Sequence, residues 1–420
     1  MIPRHRPPFS VATLAAAAIP GFGSGMTRVE ELEHAYAVAL DAPYAVWLPS
    51  ARYGIFQAIR FGVRIEDKVY CPAFTCHVVH QAIRQTARSM SLVDCSVDSP
   101  LMDFEGVRSS SGYGVVLSEV FGHRYLKPDA NAFLANASLR VFDMAMCIPT
   151  ARDIQRLDER DIALISFGLG KSLYAGWGGM AFTKDRRMAE WLRRTRHQDI
   201  KVESIASRFR AIAGVCLRTV AHTKVLYKLS RRAANSRSES TLALKRNHIP
   251  LTAPQKLVSA EWRQSPTRFH LNLADRNLQQ SKEFTRDRVQ YSQIYRRELQ
   301  KVASSGNSGD SAWLSFPPDC AEAMSHFCIR VPGFVRDELR TYLWKNGIDT
   351  ATLFPFPADA DSMQSPNAFR LSNEILGLPL SNGLGEHTIR RVCGLIQQFA
   401  VTMPNSSAIP STMSIDRRAA

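Results

Sequence analysis

A short stretch between two apolar runs, Ser166 to Thr183, constrains this chain more than any other part of the sequence. The run DIALIS ends at Ser166 and the run GMAFT ends at Thr183, and their length and composition predict two buried strands. Between them lie one lysine, Lys171, and the glycine-rich turn 176–179, whose glycines allow a backbone to approach a ligand closely. Because scaffolds present chemistry on loops between such elements, the stretch predicts a site around Lys171.

Lys171 has two possible uses. A lysine on a loop is usually a solvated surface amine. An amine held in an apolar pocket instead loses solvation, which lowers its pKa and makes it a nucleophile toward an aldehyde. The hydroxyl of Ser166, available to an anion, and the nearby glycines favour the second use without excluding the first.

An acid upstream offers a possible partner for this chemistry. The run LRVFDMAMC, Leu139 to Cys147, predicts a buried strand that carries Asp143. A buried acid needs a partner, which could be an arginine, a helix N-terminus or a protonated pyridine nitrogen. Enzymes that use pyridoxal phosphate (PLP) need both a lysine for a Schiff base and an acid that keeps the ring nitrogen protonated.

The order of these groups resembles a known family. A strand aspartate, then Ser-Phe-x-x-x-Lys, then Gly-x-Gly-Gly-x-x-x-Thr resembles the DegT/StrS-type sugar aminotransferases, which are fold-type I PLP enzymes. The resemblance implies an α/β, aspartate aminotransferase-like large domain with a mostly parallel central sheet and a smaller α+β C-terminal domain. It assigns the Schiff base to Lys171 and the contact with the ring nitrogen to Asp143.

The resemblance also implies a phosphate site. The helix predicted from Ala51 begins after Ser50-Ala51-Arg52, where the family has Ser-Gly-Thr, and a helix N-terminus offers free amides to a phosphate. A plain helix cap is the alternative. Ser166 is expected to hold the same phosphate.

Other positions match or depart from the family. The segment from Pro72 to Ile83 resembles the family closely and puts Cys76 or His77 near the face of the cofactor ring. His77 could stack there, although a structural histidine is also possible. Met146 takes the position that contacts the ring hydroxyl, where the family has Gln or His, and Trp177 replaces the usual Glu. These departures change the family's standard substrate contacts.

An insert, residues 201–260, interrupts the match. Its apolar residues recur near helical spacing among many arginines and lysines, which suits a basic amphipathic helix on a membrane surface or over the active-site mouth. A plain helical hairpin with solvated basic faces is the alternative. The match resumes with Arg268 at the position of an Asn that, in the family, reaches the phosphate of the partner subunit, which implies a homodimer.

Composition and length limit the kind of ligand, the cellular compartment and the number of domains. The net charge of +15 indicates an anionic ligand or surface, and the absence of a nucleic-acid reader motif argues against nucleic acid. Eight scattered cysteines without metal-site spacing suit reduced thiols in the cytoplasm and predict no metal. We expect four parts: an N-terminal arm (1–25), a PLP-binding large domain (26–270), a small domain (271–402) and a disordered tail (403–420).

The resemblance implies a PLP-dependent aminotransferase. The expected donor is glutamate or glutamine, and the expected acceptor is a keto-sugar, nucleotide-linked, in surface polysaccharide or secondary-metabolite biosynthesis. Lys171 argues against the family's dehydratase branch, in which histidine replaces the lysine. The alternative is a PLP-binding or regulatory protein that keeps the fold without turnover, which Met146, Trp177 and a missing small-domain histidine motivate.

Overall fold

The computed structural model describes residues 1–18, 26–109, 112–126, 129, 131–200, 205–223, 225–230, 265–304, 314–316 and 323–402. The predicted tail, 403–420, and much of the predicted insert lie outside these residues. Within the described part, no helix has both the length and the apolar character needed to cross a bilayer.

A seven-stranded sheet forms the centre of the molecule and confirms the predicted α/β class. The strands are β1 (Tyr44–Leu48), β2 (Lys68–Pro72), β3 (Ser89–Val93), β4 (Tyr113–Ser118), β5 (Leu139–Asp143), β6 (Asp161–Ser166) and β7 (Gly179–Thr183). They lie in the order β1-β7-β6-β5-β4-β2-β3, and only β7 runs antiparallel to its neighbours in this sheet. The strand predicted to continue to Cys147 ends at Asp143, because the backbone turns there and Ala145 N–H donates to Asp143 Oδ1 at 3.1 Å.

Helices cover both faces of this sheet. They are α1 (Val11–Ala18), α2 (Met26–Leu40), α3 (Ala51–Gly62), α4 (His77–Arg84), α5 (Ala132–Ala135), α6 (Ala151–Gln155), α7 (Arg186–Asp199), α8 (Ile205–Ala221) and α9 (Arg268–Gln279). Successive strand residues point to opposite faces. Val141 therefore packs with α3 in one apolar cluster, while Phe142 packs with α2 in another. The covering of both faces of the sheet follows from this alternation.

The C-terminal part has its own core. It contains α10 (Ser281–Ser304), α11 (Gly333–Lys345), α12 (Pro366–Glu374), α13 (Glu386–Thr402) and the antiparallel pair β8 (Phe327–Arg330) and β9 (Ile375–Leu378). Helix α9, most of which the sequence analysis assigns to this part, packs instead with the large-domain core through Leu271 and Leu273. Helix α10 passes from that core at Phe284 to the second core at Tyr291. The change of core therefore lies within α10, beyond residue 270.

The first nine residues connect the two cores. Ile2 N–H donates to Gly347 O at 2.7 Å, and Asp349 N–H donates back to Ile2 O at 3.0 Å. Further along, Arg6 N–H donates to Ser381 Oγ at 3.1 Å, and Phe9 is buried in the large-domain core. We call residues 1–9 the N-terminal segment.

Candidate active site

The carboxyl ends of five strands meet at one edge of the large sheet. Strands β2, β4, β5 and β6 are parallel, and β1 runs the same way because β7 is antiparallel to both β1 and β6. The register pairs Ser118 with Asp143 and Ser166 with Gly179. Open α/β sheets bind ligands beyond such carboxyl ends. The edge therefore collects most of the predicted site residues.

Asp143 and Lys171 interact across this edge without touching. Burial raises the pKa of the half-buried Asp143 carboxyl, and the positive charge of Lys171 opposes that rise. Among the described residues, neither side chain has an ion-pair partner within 4.0 Å, so Nζ and the carboxylate stand apart yet within electrostatic range. This arrangement fits a planar ring that takes a Schiff base at one end and a carboxylate contact at the other, as PLP requires.

The predicted phosphate residues gather around Gly179. A Cβ on Gly179 would lie 2.5 Å from Ile165 O and 3.1 Å from Ala51 N, so only glycine fits there. Ser50 Oγ caps α3 by accepting from Tyr53 N–H at 3.2 Å. Ser166 Oγ accepts from Gly168 N–H at 3.2 Å. Both serines retain a hydroxyl proton to donate, and α3 directs its first amides to the same place.

The other predicted cofactor residues have different surroundings. Arg52 is half-buried in the first turn of α3, and His77 is half-buried at the first residue of α4, after β2. Met146 is buried in the second core with Phe74, so it contributes apolar packing at this position. Arg268 is exposed at the first residue of α9.

The glycine-rich turn after Lys171 is held by aromatic residues and by α8. Gly176 has φ = +94°, and a Cβ there would lie 2.4 Å from Val215 Cγ2 of α8. Trp177 packs edge-on against Trp47, with ring centroids 5.2 Å apart. The described part of the predicted insert therefore begins with helix α8, which packs against this turn. Trp177, at the position where the family has an acid, packs against Trp47.

Sequence reasoning missed a second group of residues beside Lys171. The ring of His5 lies 3.3 Å from where a Cβ on Gly170 would be, and it packs edge-on against His326 with centroids 4.7 Å apart. His5, Arg6, Lys171, Arg288 and Ser381 line one cleft, which we call the cationic cleft. The basic run at residues 4–6 was the available signal, but no sequence pattern placed it beside Lys171.

A family model matches most of this chain. The DegT/DnrJ/EryC1/StrS aminotransferase family matches residues 12–219 and 269–397, and the interval between the two matched ranges contains most of the predicted insert. A comparison with curated proteins found no match.

Solved structures share the fold at low sequence identity. The putative sugar aminotransferase Spr1654 from Streptococcus pneumoniae, in its apo form, has 15% identity and a TM-score of 0.68, over 95% of this chain and 98% of that chain. The aminotransferase TlmJ from Streptoalloteichus hindustanus has 20% identity and a TM-score of 0.66, over 96% and 99%. The sugar aminotransferase CalS13 from Micromonospora echinospora has 17% identity and a TM-score of 0.63, over 95% and 100%.

The two matched ranges span most of the sequence and include both Asp143 and Lys171. The structural likenesses extend over nearly the whole chain and include structures of Spr1654 in PLP and PMP forms. This chain therefore belongs to the DegT/DnrJ/EryC1/StrS aminotransferase family, whose members are PLP-dependent enzymes.

Proposed function

We propose that this enzyme transfers an amino group from glutamate or glutamine to a nucleotide-linked keto-sugar, in the biosynthesis of a surface polysaccharide or a secondary metabolite. The apposition of Lys171 and Asp143 across the strand edge carries this proposal. Family membership gives the reaction type, and the net charge of +15 suits an anionic, nucleotide-linked acceptor.

Lys171 moves the protons in this proposal. PLP, when bound, supplies a ring that accepts electrons from the reacting carbon. Lys171 Nζ removes the proton from the α-carbon of the amino donor, and in the second half of the reaction it returns a proton to the sugar carbon that receives the amino group. The amine lies on a loop between two buried strands, which fixes the position of its backbone.

The other residues hold and orient the cofactor. The Asp143 carboxylate accepts a hydrogen bond from the protonated ring nitrogen and keeps that proton in place. Ser50, Ala51, Arg52 and Ser166 bind the phosphate through hydroxyl groups, helix amides and a guanidinium. The side chains of His77 and Met146 would contact the ring of the bound cofactor.

The proposal includes a homodimer in the cytoplasm. Arg268 is exposed at the start of α9, where it can reach the phosphate of a partner subunit.

We also propose a peripheral membrane contact through α8, which exposes Ile205, Phe209 and Leu217 together with Arg210. An exposed apolar surface flanked by arginines suits an anionic lipid interface. The proposed large and small domains share α10, along which the packing changes from the first core to the second.

One experiment tests the proposed reaction directly. The purified protein, reconstituted with PLP, is incubated with glutamate and a panel of nucleotide-linked keto-sugars, and the products are analysed by mass spectrometry. We expect an amino-sugar product from at least one acceptor and bleaching of the cofactor absorbance band when glutamate is added alone. A band that responds to no amino donor would contradict the proposal and support a binding or regulatory protein.

A further inference from the structure

Three positive charges and no acidic side chain lie among the described residues that line the cationic cleft. Its lining includes the cations of Arg6, Lys171 and Arg288 and no Asp or Glu side chain. Among the described residues, none of these three cations has an ion-pair partner within 4.0 Å. Arg4, in the same N-terminal segment, pairs instead with Asp349 at 3.7 Å and does not line the cleft.

Arg288 is the most informative of these cations, because its side chain is buried. Only 6% of the residue is exposed, and its guanidinium donates to neutral oxygens: Asn382 Oδ1 at 3.0 Å and the carbonyls of Met324, Ser325 and Leu380 at 2.8–3.1 Å. Burial lowers the pKa of Arg288 to about 10. The charge of Asp287 opposes part of this shift, but no described acid lies within 4.0 Å of the guanidinium. A buried cation without a close ion pair is costly, so an anion in the cleft would stabilise this arrangement.

Two histidines at the cationic cleft, His5 and His326, are held in their neutral forms. Burial and the charge of Arg288 lower the pKa of His326 to about 3, and burial also lowers the pKa of His5. Both imidazoles are therefore neutral near pH 7 and can donate a hydrogen bond without adding charge. His326 is 2% exposed, and its Nε2 has no hydrogen-bond partner among the described residues.

The size and position of the cleft limit its occupant. Its volume is about 20 Å³, which holds a group of about the size of one water molecule. A carboxylate is only somewhat larger than a water molecule, whereas a nucleoside diphosphate is many times larger. Lys171 belongs to both the cleft and the cofactor edge, whereas Ser50, Ser166 and Asp143 do not line the cleft. An anion bound here would lie beside the reacting amine and apart from the cofactor phosphate.

We propose that the cationic cleft binds a carboxylate of the amino donor, with Arg6 and Arg288 as its charged contacts. The inference rests on the proposed function, since it names the donor as an amino acid with an acidic group. It gives the N-terminal segment a role in selecting the donor, because residues 5–7 form one wall of the cleft.

Equilibrium binding tests this inference without turnover. Glutarate, a dicarboxylate that cannot be transaminated, is titrated into the PLP-reconstituted protein by calorimetry, in parallel with inorganic pyrophosphate. We expect glutarate to bind, and Arg6→Gln to raise its Kd about tenfold or more, the size of a lost charge-assisted hydrogen bond. Arg4→Gln is the matched control, and its Kd should stay within about twofold of the original value.

A second variant and a kinetic measurement complete the test. Arg288→Lys keeps the charge but loses the planar fork, so it should weaken glutarate binding several-fold. With glutamate as donor, Arg6→Gln should raise KM and leave kcat nearly unchanged. Undetectable glutarate binding, unchanged binding in Arg6→Gln, or preference for pyrophosphate would each overturn the inference. Arg6-dependent glutarate binding without transamination of any keto-sugar would instead uphold it and reject the proposed reaction.

Discussion

The cofactor edge and the cationic cleft share Lys171 but are built in opposite ways. The edge is formed by the carboxyl ends of β1, β2, β4, β5 and β6, and it places an acid, Asp143, within electrostatic range of the lysine. The cleft is assembled from segments as far apart as residues 5–7 and 380–381, and no acid lines it. In the proposed reaction the edge performs the chemistry common to the family, and the cleft selects a substrate.

The replacement of Lys171 should have the largest effect, because both regions depend on this amine. Lys171→Ala should lower transamination by at least about 10⁴-fold, since both proton transfers lose their acid and base. The cofactor absorbance band that depends on the lysine should also disappear. Steady-state kinetics and absorbance spectra of the reconstituted protein measure the two effects. Lys184→Ala, which removes an amine bonded to Gln155 O on the other side of the turn, is the control.

The replacement of Asp143 should separate cofactor binding from chemistry. Asp143→Ala should still bind PLP through Lys171 and the phosphate residues. Its turnover should fall by roughly 10²–10³-fold, because a buried cation that loses its partner is destabilised by several kcal/mol. Equilibrium dialysis measures PLP retention, and product formation measures turnover. Turnover equal to that of the unaltered protein would remove Asp143 from the mechanism.

The difference between the two regions also explains what the sequence could predict. The strands that end at Ser166 and Thr183 were predicted at their observed positions, because each is a short apolar run bounded by turn residues. Local patterns of this kind place Asp143 and Lys171 at one edge, since parallel strands align their carboxyl ends.

The cationic cleft could not be predicted in the same way. His5, Arg288 and His326 come together only when the N-terminal segment crosses to the second core. No sequence pattern encodes this contact, because it depends on how two cores pack. The same reason explains why α9, most of which lies within the predicted small domain, packs with the large-domain core. Long-range packing, and not secondary structure, limited the sequence analysis.

The turn at 176–179 links both regions to α8, and a pair of glycine variants tests that link. Gly176→Ala should destabilise the protein by about 2–4 kcal/mol, because alanine disfavours φ = +94° and its Cβ would lie 2.4 Å from Val215 Cγ2. Gly214→Ala, within α8 and facing open space, should instead stabilise it by about 0.5–1 kcal/mol. Chemical denaturation measures both changes. Equal effects of the two variants would show that α8 does not rest on the turn.

The loss of folding stability at acidic pH should be the smallest of these effects, and it tests the burial and positive charge around His326. Burial is the main reason that the folded-state pKa of His326, about 3, lies below the ordinary value of 6.5, and the positive charges of Arg288, Arg4 and Lys171 lower this pKa further. The unfolded chain therefore binds this proton first, and the protein loses stability as the pH falls below about 6.5. Near pH 5 this loss amounts to about 2 kcal/mol for one histidine.

His326→Asn removes the titrating group while keeping a polar atom that can bond Ser325 Oγ, the observed partner of His326 Nδ1 at 3.1 Å. Denaturation curves between pH 7 and pH 5 should therefore show a shallower loss of stability in this variant than in the unaltered protein. His34→Asn, at an exposed position on α2, should leave the slope unchanged. A slope in His326→Asn identical to that of the unaltered protein would mean that His326 accepts its proton without cost, and that the surrounding cations already have anionic partners.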